Sequence, residues 1–478
     1  MLNFGGLQHM NSKPFTILPL KTSLLANLAT LGYHQMTTIQ EKSLPHVLKG
    51  RDLIAQAKTG SGKTAAFGLG ILSKLDPASF AIQGLVLCPT RELADQVAGE
   101  LRRLARAEGN IKVLALTGGT PLRPQVASLE HGAHIVVGTP GRLRDHLGRG
   151  TIDLAHVHTL VLDEADRMTD MGFYDEIAGI VRACPRQRQT LLFSATYPDD
   201  IRQATRSFLN NPAEVIVEAQ HAGDQIEQRF YAVEFDERDA AVGRLLRYFR
   251  PASALVFCNT RAHCRELAEE LHAQGFSALA LHGDLEQRER DEILVLFANR
   301  SCSVLVATDV AARGLDIADL DAVIIADVSR DTEVHIHRVG RTGRAGATGL
   351  ALTLCAPNEK KWVGLIEEYQ NAPIHWHALD DLAPDSAGAA TAPMVTLCIM
   401  GGKKDKLRPG DVLGALTGDL GLSKEQVGKI NVTESTTYVA VDRHAVDQAF
   451  RRLNDRNMPG RDVGTIKGRR FRMRLIKV

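Results

Sequence analysis

Short apolar runs alternate with amphipathic stretches over most of the chain, in two consecutive series. The first series has apolar, β-rich runs at 52–56, 85–88, 135–138, 160–163 and 191–194. The second series has such runs at 254–258, 278–281, 304–308, 322–326 and 350–354. Helical patterns such as 262–274 separate the runs. This alternation is typical of parallel sheets covered by helices, so we predict two α/β domains in tandem.

After residue 393 the pattern changes to that of a smaller unit. Strand patterns at 395–400, 428–432, 437–441 and 470–476 enclose helical patterns at 409–416 and 445–453. This βαββαβ order is that of an RNA-recognition-motif fold. The order alone is weak evidence for RNA binding, because many ferredoxin-like domains share it and bind no RNA.

Two polar or small-residue joins divide the chain. The expected division is a flexible N-terminus (1–14), a first domain (15–218), a linker (219–225), a second domain (226–370), a linker (371–393) and a C-terminal domain (394–478). The short polar join predicts a hinge, and a cleft between hinged domains is a natural ligand site. Small residues and prolines at 383–393 predict a flexible tether.

Charge is distributed unevenly along the 478 residues. A hydrophobic fraction of 44% and a charged fraction of 24% are those of an ordinary globular protein. The net charge of +1 hides a C-terminal excess, because residues 394–478 contain 7 Lys and 10 Arg against 9 acidic residues. The last domain therefore carries +8 and the rest −7, which predicts a polyanionic partner for the C-terminal domain.

The seven cysteines form no close pair at metal-ligand spacing. Several lie inside apolar runs, so we predict reduced, buried thiols. The N-terminus lacks the apolar core of a signal peptide, and no run of eighteen apolar residues occurs. We therefore expect a cytoplasmic protein with no membrane partner.

The segment from Ala57 to Thr64 has the composition of a phosphate-binding loop. Gly60 and Gly62 allow backbone amides to turn towards phosphate oxygens, Lys63 reaches the outer phosphates, and Thr64 can hold Mg²⁺. Ala57 stands where the usual pattern has its first glycine. Gly-Lys-Thr also occurs in surface turns, but this one follows a β-like run and opens a helix.

Asp163 ends the apolar run 160–163, which places its carboxylate at the carboxyl edge of a parallel sheet. We interpret it as a metal-side carboxylate and Glu164 as the group that positions or deprotonates an attacking water. A solvated acidic turn is the alternative interpretation, which the position at the sheet edge disfavours.

Eight motifs occur in a characteristic order, namely Gln40, 57–64, 89–94, 139–142, 163–166, 194–196, 307–316 and 337–344. In this order they resemble the signature of DEAD-box RNA helicases, whose two domains are RecA-like α/β domains. The resemblance covers residues 15 to about 355. Residues 401–416 resemble the C-terminal domain of the DbpA group within that family, which recognises a hairpin of large-subunit ribosomal RNA.

The resemblance assigns roles to individual residues. It implies catalysis by Lys63, Asp163, Glu164 and two arginine fingers, Arg341 and Arg344. It implies an ATP site at Phe15, Tyr33, Gln40, Lys58, Thr59, Gly60, Ser61, Gly62, Lys63, Thr64 and Asp316, with Mg²⁺ at Thr64 and Asp163. Core contacts to the RNA backbone are expected at Thr90, Arg91, Gly119, Thr139, Arg142, Arg261, Thr308 and Gly314. Coupling between the two sites is expected at Ser194, Thr196 and His337.

The C-terminal domain departs from an ordinary RNA-recognition motif. Its aromatic positions hold Cys398, Thr436 and Ala440, and Tyr438 alone remains, so base stacking on the sheet should be poor. We expect RNA contacts from cationic residues instead, namely Lys403, Lys404, Lys406, Arg408, Lys467, Arg470, Arg472 and Arg474. If the last strand alternates faces, the three arginines at 470, 472 and 474 share one side. A solvated basic edge is the alternative.

These observations predict an ATP-dependent RNA helicase. It would act as a monomer, dock on a large-subunit (23S) ribosomal RNA hairpin in pre-ribosomal particles, and unwind nearby short duplexes during assembly. An ATP-gated RNA clamp without unwinding as its main output is the alternative. A P-loop ATPase acting on proteins or small molecules is disfavoured by the basic C-terminal domain.

Overall fold

The computed structural model describes residues 13–57, 60–197, 199–217, 226–312, 320–343, 349–382, 388–454 and 465–478. These residues form two compact units, which divide between residues 217 and 226. The first unit contains one α/β domain. The second contains an α/β domain and the C-terminal domain. The predicted linker 219–225 and residues 1–12 of the predicted N-terminus lie outside the described residues.

In its described residues, the first unit has a seven-stranded parallel sheet in the order β3-β4-β2-β5-β6-β1-β7. The strands are β1 (Leu53–Gln56), β2 (Gly84–Leu87), β3 (Val113–Leu116), β4 (Ile135–Gly138), β5 (Thr159–Asp163), β6 (Gln189–Ser194) and β7 (Ala213–Ile216). The helices are α1 (Thr22–Thr30), α2 (Thr38–Leu48), α3 (Lys63–Lys74), α4 (Arg91–Leu104), α5 (Leu122–Glu130), α6 (Pro140–Gly148), α7 (Ala165–Asp170), α8 (Tyr174–Ala183) and α9 (Asp199–Thr205).

Successive residues of the central strands point into two apolar clusters, one on each face of the sheet. Val86 and Val161 pack with Phe67 of α3. Leu85 and Leu160 pack with Ile180 of α8 on the other face. A strand covered on both faces needs apolar residues at every position, which explains the uninterrupted apolar runs in the sequence.

In its described residues, the second unit repeats this architecture with strand order β10-β11-β9-β12-β13-β8-β14. The strands are β8 (Ile226–Ala232), β9 (Ala254–Cys258), β10 (Ala278–Leu281), β11 (Val304–Thr308), β12 (Ala322–Ile325), β13 (Gly349–Cys355) and β14 (Trp376–His377). The helices are α10 (Arg238–Phe249), α11 (Arg261–Ala273), α12 (Gln287–Ala298), α13 (Asp309–Ala312), α14 (Thr332–Val339) and α15 (Lys360–Gln370). Strand β14 pairs with β8, so the sheet extends into the segment that we assigned to a linker.

The C-terminal domain has the predicted βαββαβ order and an antiparallel sheet, β16-β17-β15-β18. Its strands are β15 (Met394–Ile399), β16 (Val427–Val432), β17 (Thr437–Asp442) and β18 (Met473–Ile476), and its helices are α16 (Pro409–Gly414) and α17 (Val446–Asn454). Because β18 begins at Met473, the expectation that Arg470, Arg472 and Arg474 share one face of a strand does not hold.

One face of this sheet packs on the second α/β domain. Thr396 is fully buried, and its Oγ1 lies 2.7 Å from Ser301 Oγ and accepts from Asn299 Nδ2 at 3.2 Å. In the segment before β15, Ala392 is buried, and Gly388 O accepts from Arg250. The flexible-tether prediction therefore does not hold for residues 388–393, whereas 383–387 lie outside the described residues.

The seven cysteines are buried and unbridged, as predicted. The longest described helices are amphipathic rather than uniformly apolar, and none of the described ones is long and apolar enough to cross a membrane.

Candidate nucleotide and nucleic-acid site

The loop before α3 is folded tightly around the N-terminus of that helix. Gly60 and Gly62 have positive φ angles of 79° and 93°, and Lys63 Nζ donates to Ala57 O at 3.0 Å. A Cβ at position 62 would lie 2.5 Å from Gln40 Nε2. Backbone amides at a helix N-terminus suit an anion, so the loop fits the phosphates of a nucleotide. Lys58 and Thr59 lie outside the described residues.

Asp163 is a buried carboxylate at the carboxyl end of β5. Its Oδ1 has no hydrogen-bond partner among the described residues, and burial raises the pKa of Asp163 to about 7 against the opposing charge of Lys63. An unpartnered buried oxygen of this kind fits a divalent cation, which would supply the missing partner. The donor set of Asp163 and the Thr64 hydroxyl therefore suits Mg²⁺.

Glu164 follows in a left-handed backbone conformation, with φ 53° and ψ 53°. Its carboxylate accepts from Arg167 Nη1 at 3.0 Å, and both side chains are buried. Arg167 was absent from the predicted site. The ion pair fixes the Glu164 carboxylate beside Asp163, where a general base or water-orienting group is expected.

Asp166 lies in the predicted motif 163–166 without a predicted role, and it connects the start of α7 to the end of β6. Its Oδ2 accepts from Ala195 N at 3.2 Å, from Thr196 N at 3.0 Å and from Thr196 Oγ1 at 3.2 Å. Its own backbone N donates to Ser194 Oγ at 3.2 Å. Burial opposes its ionisation, but the charge of Lys63 and these hydrogen bonds hold the pKa of Asp166 below its usual range. The predicted coupling residues Ser194 and Thr196 are thus fastened to the catalytic turn.

Gln40 connects the predicted adenine segment to the phosphate loop. Its Oε1 accepts from Thr37 N at 2.9 Å, and its Nε2 donates to Gly62 O at 3.1 Å. Pairing of this amide with adenine would replace those two bonds. Phe15 is buried in the core, and Tyr33 Oη donates to Glu100 at 2.8 Å. Burial and Glu100 raise the pKa of Tyr33 to about 12.

The predicted RNA contacts of the first unit follow three neighbouring strands. Thr90 and Arg91 follow β2, Gly119 follows β3, and Thr139 and Arg142 follow β4. The nucleotide residues follow β1 and β5, with the coupling residues at the end of β6. Because parallel strands end at the same edge, the order β3-β4-β2-β5-β6-β1 divides this edge into a predicted RNA half and a nucleotide half.

Arg91 and Arg142 each contact neighbouring residues within the RNA half. A Cβ at position 119 would lie 2.1 Å from Arg91 Nη1, so the guanidinium occupies space that only glycine leaves open. Arg142 donates from Nη1 to Gln125 Oε1 and from Nη2 to Thr120 O, each at 2.9 Å. The Arg142 guanidinium is therefore oriented before any ligand binds, and the Arg91 guanidinium lies against Gly119.

The second unit contains a buried arginine, Arg338, to which we assigned no role from the sequence. Arg338 donates to both carboxylate oxygens of Asp309 at 2.8 and 2.7 Å, and to Asn259 Oδ1 at 2.7 Å. It lies between His337 and Arg341 on the chain, and Arg341 is also buried. Arg261 forms an ion pair with Asp284, and Thr308 ends β11. Gly314, Asp316 and Arg344 lie outside the described residues.

Exposed cations of the C-terminal domain lie on two adjoining segments, which we call the basic loop surface. Its members are Lys403, Lys404, Lys406, Arg408, Lys467, Arg469, Arg470 and Arg472. Lys467 Nζ donates to Lys406 O at 3.2 Å and lies 3.3 Å from Asp411 Oδ2, which joins the segments. Phe471 packs over Gly401 at their base.

Arg474 lies elsewhere. Its Nη2 donates to both carboxylate oxygens of Glu292 on α12, at 3.1 and 2.9 Å, and Tyr438 Oη donates to the same carboxylate at 3.4 Å. Tyr438, the aromatic residue that remains on the sheet face, and Arg474, a predicted RNA contact, therefore pack against the second α/β domain.

Comparison with known proteins follows the same division. Residues 37–204 match the DEAD/DEAH box helicase family, residues 237–346 the helicase conserved C-terminal domain, and residues 396–475 the DbpA RNA binding domain. The chain is 50% identical over 464 residues to the ATP-dependent RNA helicase DbpA of Escherichia coli (strain K12), covering 97% of this chain and 99% of that protein.

Solved structures resemble the helicase core. Saccharomyces cerevisiae Dbp5 bound to RNA and ADP BeF3 has a TM-score of 0.71 at 30% identity, covering 77% of this chain and 97% of that chain. Mss116p bound to ssRNA and AMP-PNP has a TM-score of 0.69 at 26% identity, covering 77% of this chain and 80% of that one.

Proposed function

Because the chain belongs to the DEAD-box ATP-dependent RNA helicases and carries a DbpA RNA-binding domain, we propose that it docks on a large-subunit (23S) ribosomal RNA hairpin and unwinds short duplexes nearby. It would do so in pre-ribosomal particles in the cytoplasm, as a monomer. The observation that carries the proposal is the union of a helicase core with a domain whose basic loop surface is exposed while its sheet face is packed away.

In this proposal the first unit binds ATP with Mg²⁺ at Thr64 and Asp163. The bound nucleotide supplies a γ-phosphoryl group for transfer to water. Lys63 offsets the phosphate charge, and Glu164, fixed by Arg167, orients the water or accepts its proton at a carboxylate oxygen. Arg341 and Arg344 would complete the site only when the two domains close, which makes hydrolysis conditional on closure.

RNA would favour closure through backbone contacts from both units. Thr90, Arg91, Gly119, Thr139 and Arg142 would act with Arg261, Thr308 and Gly314, and Ser194, Thr196 and His337 would relay between the RNA and ATP sides. Small residues, amides and arginines suit a contact that ignores sequence. The basic loop surface then selects the RNA.

A strand-release assay tests the proposal. A short duplex attached to a large-subunit ribosomal RNA hairpin should dissociate in excess ATP, and Lys63→Ala or Glu164→Gln should abolish release without weakening hairpin binding. Hairpin binding should weaken steeply with added salt because phosphate contacts release counterions. ATP-dependent retention on RNA without duplex release would favour the clamp alternative.

A further inference from the structure

A histidine in the first turn of α11 bridges two carboxylates from different elements. His263 Nε2 lies 2.8 Å from Asp239 Oδ1 on α10, and His263 Nδ1 lies 2.8 Å from Asp327 Oδ2 after β12. A ring that donates from both nitrogens is an imidazolium. The two carboxylates raise the pKa of His263 to about 12, and they outweigh the helix dipole, which disfavours a cation in a first turn.

Asp327 connects this histidine bridge to the buried Arg338. Its carboxylate also accepts from Asn259 N at 2.8 Å and pairs with Arg238, while its carbonyl accepts from Arg338 Nη1 at 2.6 Å. Asn259 Oδ1 in turn accepts from Arg338. The segment 259–261, which ends at the predicted RNA contact Arg261 in the first turn of α11, is therefore tied to α14, which precedes Arg341.

Protonation of His263 brings the charges of this network closer to balance, with three cations against four carboxylates. The network joins the carboxylates of Asp239, Asp309, Asp327 and Glu359 to Arg238, Arg338 and His263. With a neutral ring, four buried or half-buried carboxylates would face two cations. Removing one partner from such a network leaves an uncompensated charge, which displaces the groups around it.

We propose that the His263 imidazolium is a positioning residue for RNA-stimulated ATP hydrolysis. It holds the segment 259–261 and α14 in one arrangement, so that RNA bound at Arg261 affects the position of Arg341, the predicted arginine finger that follows α14. This role rests on the proposed function. None of the groups that carry this role contacts ATP. The bridge between two carboxylates distinguishes His263 from its neighbours on α11.

The test compares full-length variants with large-subunit ribosomal RNA as the activator. His263→Gln removes the charge, and Asp239→Asn in the same chain removes the carboxylate left unpaired. His272→Gln, an exposed histidine on the same helix, is the matched control. Hydrolysis is titrated with RNA at saturating ATP and then with ATP at saturating RNA, and Trp fluorescence melts verify folding of the second unit.

His263→Gln should raise the RNA concentration for half-maximal hydrolysis about tenfold and change the KM for ATP less than about twofold, because His263 positions the RNA-contact segment and does not contact ATP. The double variant should return to within about threefold of wild type, because the lost cation is matched by a lost carboxylate and the network regains its wild-type net charge. If His263→Gln does not fold, Asp239→Asn alone should show a smaller effect of the same kind.

Equal RNA titrations for His263→Gln and His272→Gln, or no rescue by Asp239→Asn, would overturn the inference. So would stabilisation of the wild type by Zn²⁺ that Cys258→Ala abolishes, since Cys258, His263 and Asp327 place ligand atoms within 4.8 Å of one another. A wild type that RNA does not stimulate would instead reject the proposed function.

Discussion

Two adjacent glycines after β3 differ in what an added Cβ would contact. Gly119 has φ +67° and faces the Arg91 guanidinium, whereas Gly118 has open space where a Cβ would be placed. The sequence shows two equivalent glycines, and the difference appears only when the backbone angle and the neighbour are known. The family resemblance therefore predicted Gly119 as a contact without giving the physical reason for a glycine there.

Gly119→Ala should weaken RNA binding more than Gly118→Ala. The added methyl displaces Arg91 and strains the left-handed backbone, which costs about 1 kcal/mol and several-fold in RNA affinity. RNA binding in the presence of a non-hydrolysable ATP analogue measures the effect, with nucleotide affinity expected to stay unchanged. Equal losses for the two variants would contradict the proposed contact.

His335 predicts a pH dependence of stability. Its ring is fully buried against Phe230, both nitrogens lack partners among the described residues, and burial lowers the pKa of His335 to about 3. Between pH 3 and the unfolded value near 6.5, the unfolded chain binds a proton that the folded chain does not. Stability therefore rises with pH across this window and is lost as pH falls.

His335→Phe should flatten that dependence by at most about 1.4 kcal/mol per pH unit, the effect of one proton. Urea unfolding followed by Trp fluorescence measures it, because Trp362 and Trp376 are the two tryptophans of the chain and both lie in the second unit. Identical slopes for wild type and variant between pH 7 and 5 would show that the ring is not buried in neutral form.

At the scale of elements, the predicted catalytic, RNA-contact and coupling residues of the first unit lie at or after the carboxyl ends of its strands. The end of β6 is joined to the start of α7 by three hydrogen bonds to one oxygen of Asp166. The apolar runs predicted the central strands of both sheets, because strands that are covered on both faces are apolar at successive positions. The apolar pattern did not predict β8, which contains charged residues, or β14, which has only two residues. Both strands are defined by their pairing partners rather than by their composition.

Asp166→Ala should uncouple RNA from hydrolysis. Without the carboxylate, the segment 194–196 loses its anchor to the catalytic turn, so RNA stimulation should fall about tenfold while ATP binding changes little. Asp175→Ala, an exposed carboxylate in the first turn of α8, is the control. ATP hydrolysis with and without RNA measures both, and full stimulation of Asp166→Ala would contradict the anchoring role.

At the scale of the second unit, the C-terminal domain is fastened to the α/β domain by its sheet face. The basic loop surface and the helicase residues of the second α/β domain therefore lie in one compact unit rather than being joined by a free tether. The sequence predicted poor base stacking on this sheet from its missing aromatics, but it could not show the cause, since Thr396, Tyr438 and Arg474 find their partners on α12 and the turn after it.

Glu292→Ala should loosen this attachment. It removes the carboxylate that accepts from both Arg474 and Tyr438, so the buried Tyr438 hydroxyl loses its acceptor and the Arg474 guanidinium loses its ion-pair partner. With one dye on each domain of the second unit, the distribution of energy-transfer efficiencies should broaden. Arg474→Ala should broaden it as well. Arg470→Ala on the basic loop surface is the control. A narrow distribution in Glu292→Ala would mean that the polar contacts do not hold the domains.

The account's central claim is that the C-terminal domain decides which RNA activates the ATPase. The direct measurement is ATP hydrolysis by the full chain with a large-subunit ribosomal RNA hairpin and with unrelated hairpins, repeated with Lys404→Ala/Arg470→Ala. We predict strong stimulation by one ribosomal hairpin, lost in the variant while weak stimulation by unrelated RNA persists. Equal stimulation by all hairpins, or an unchanged preference in the variant, would contradict it.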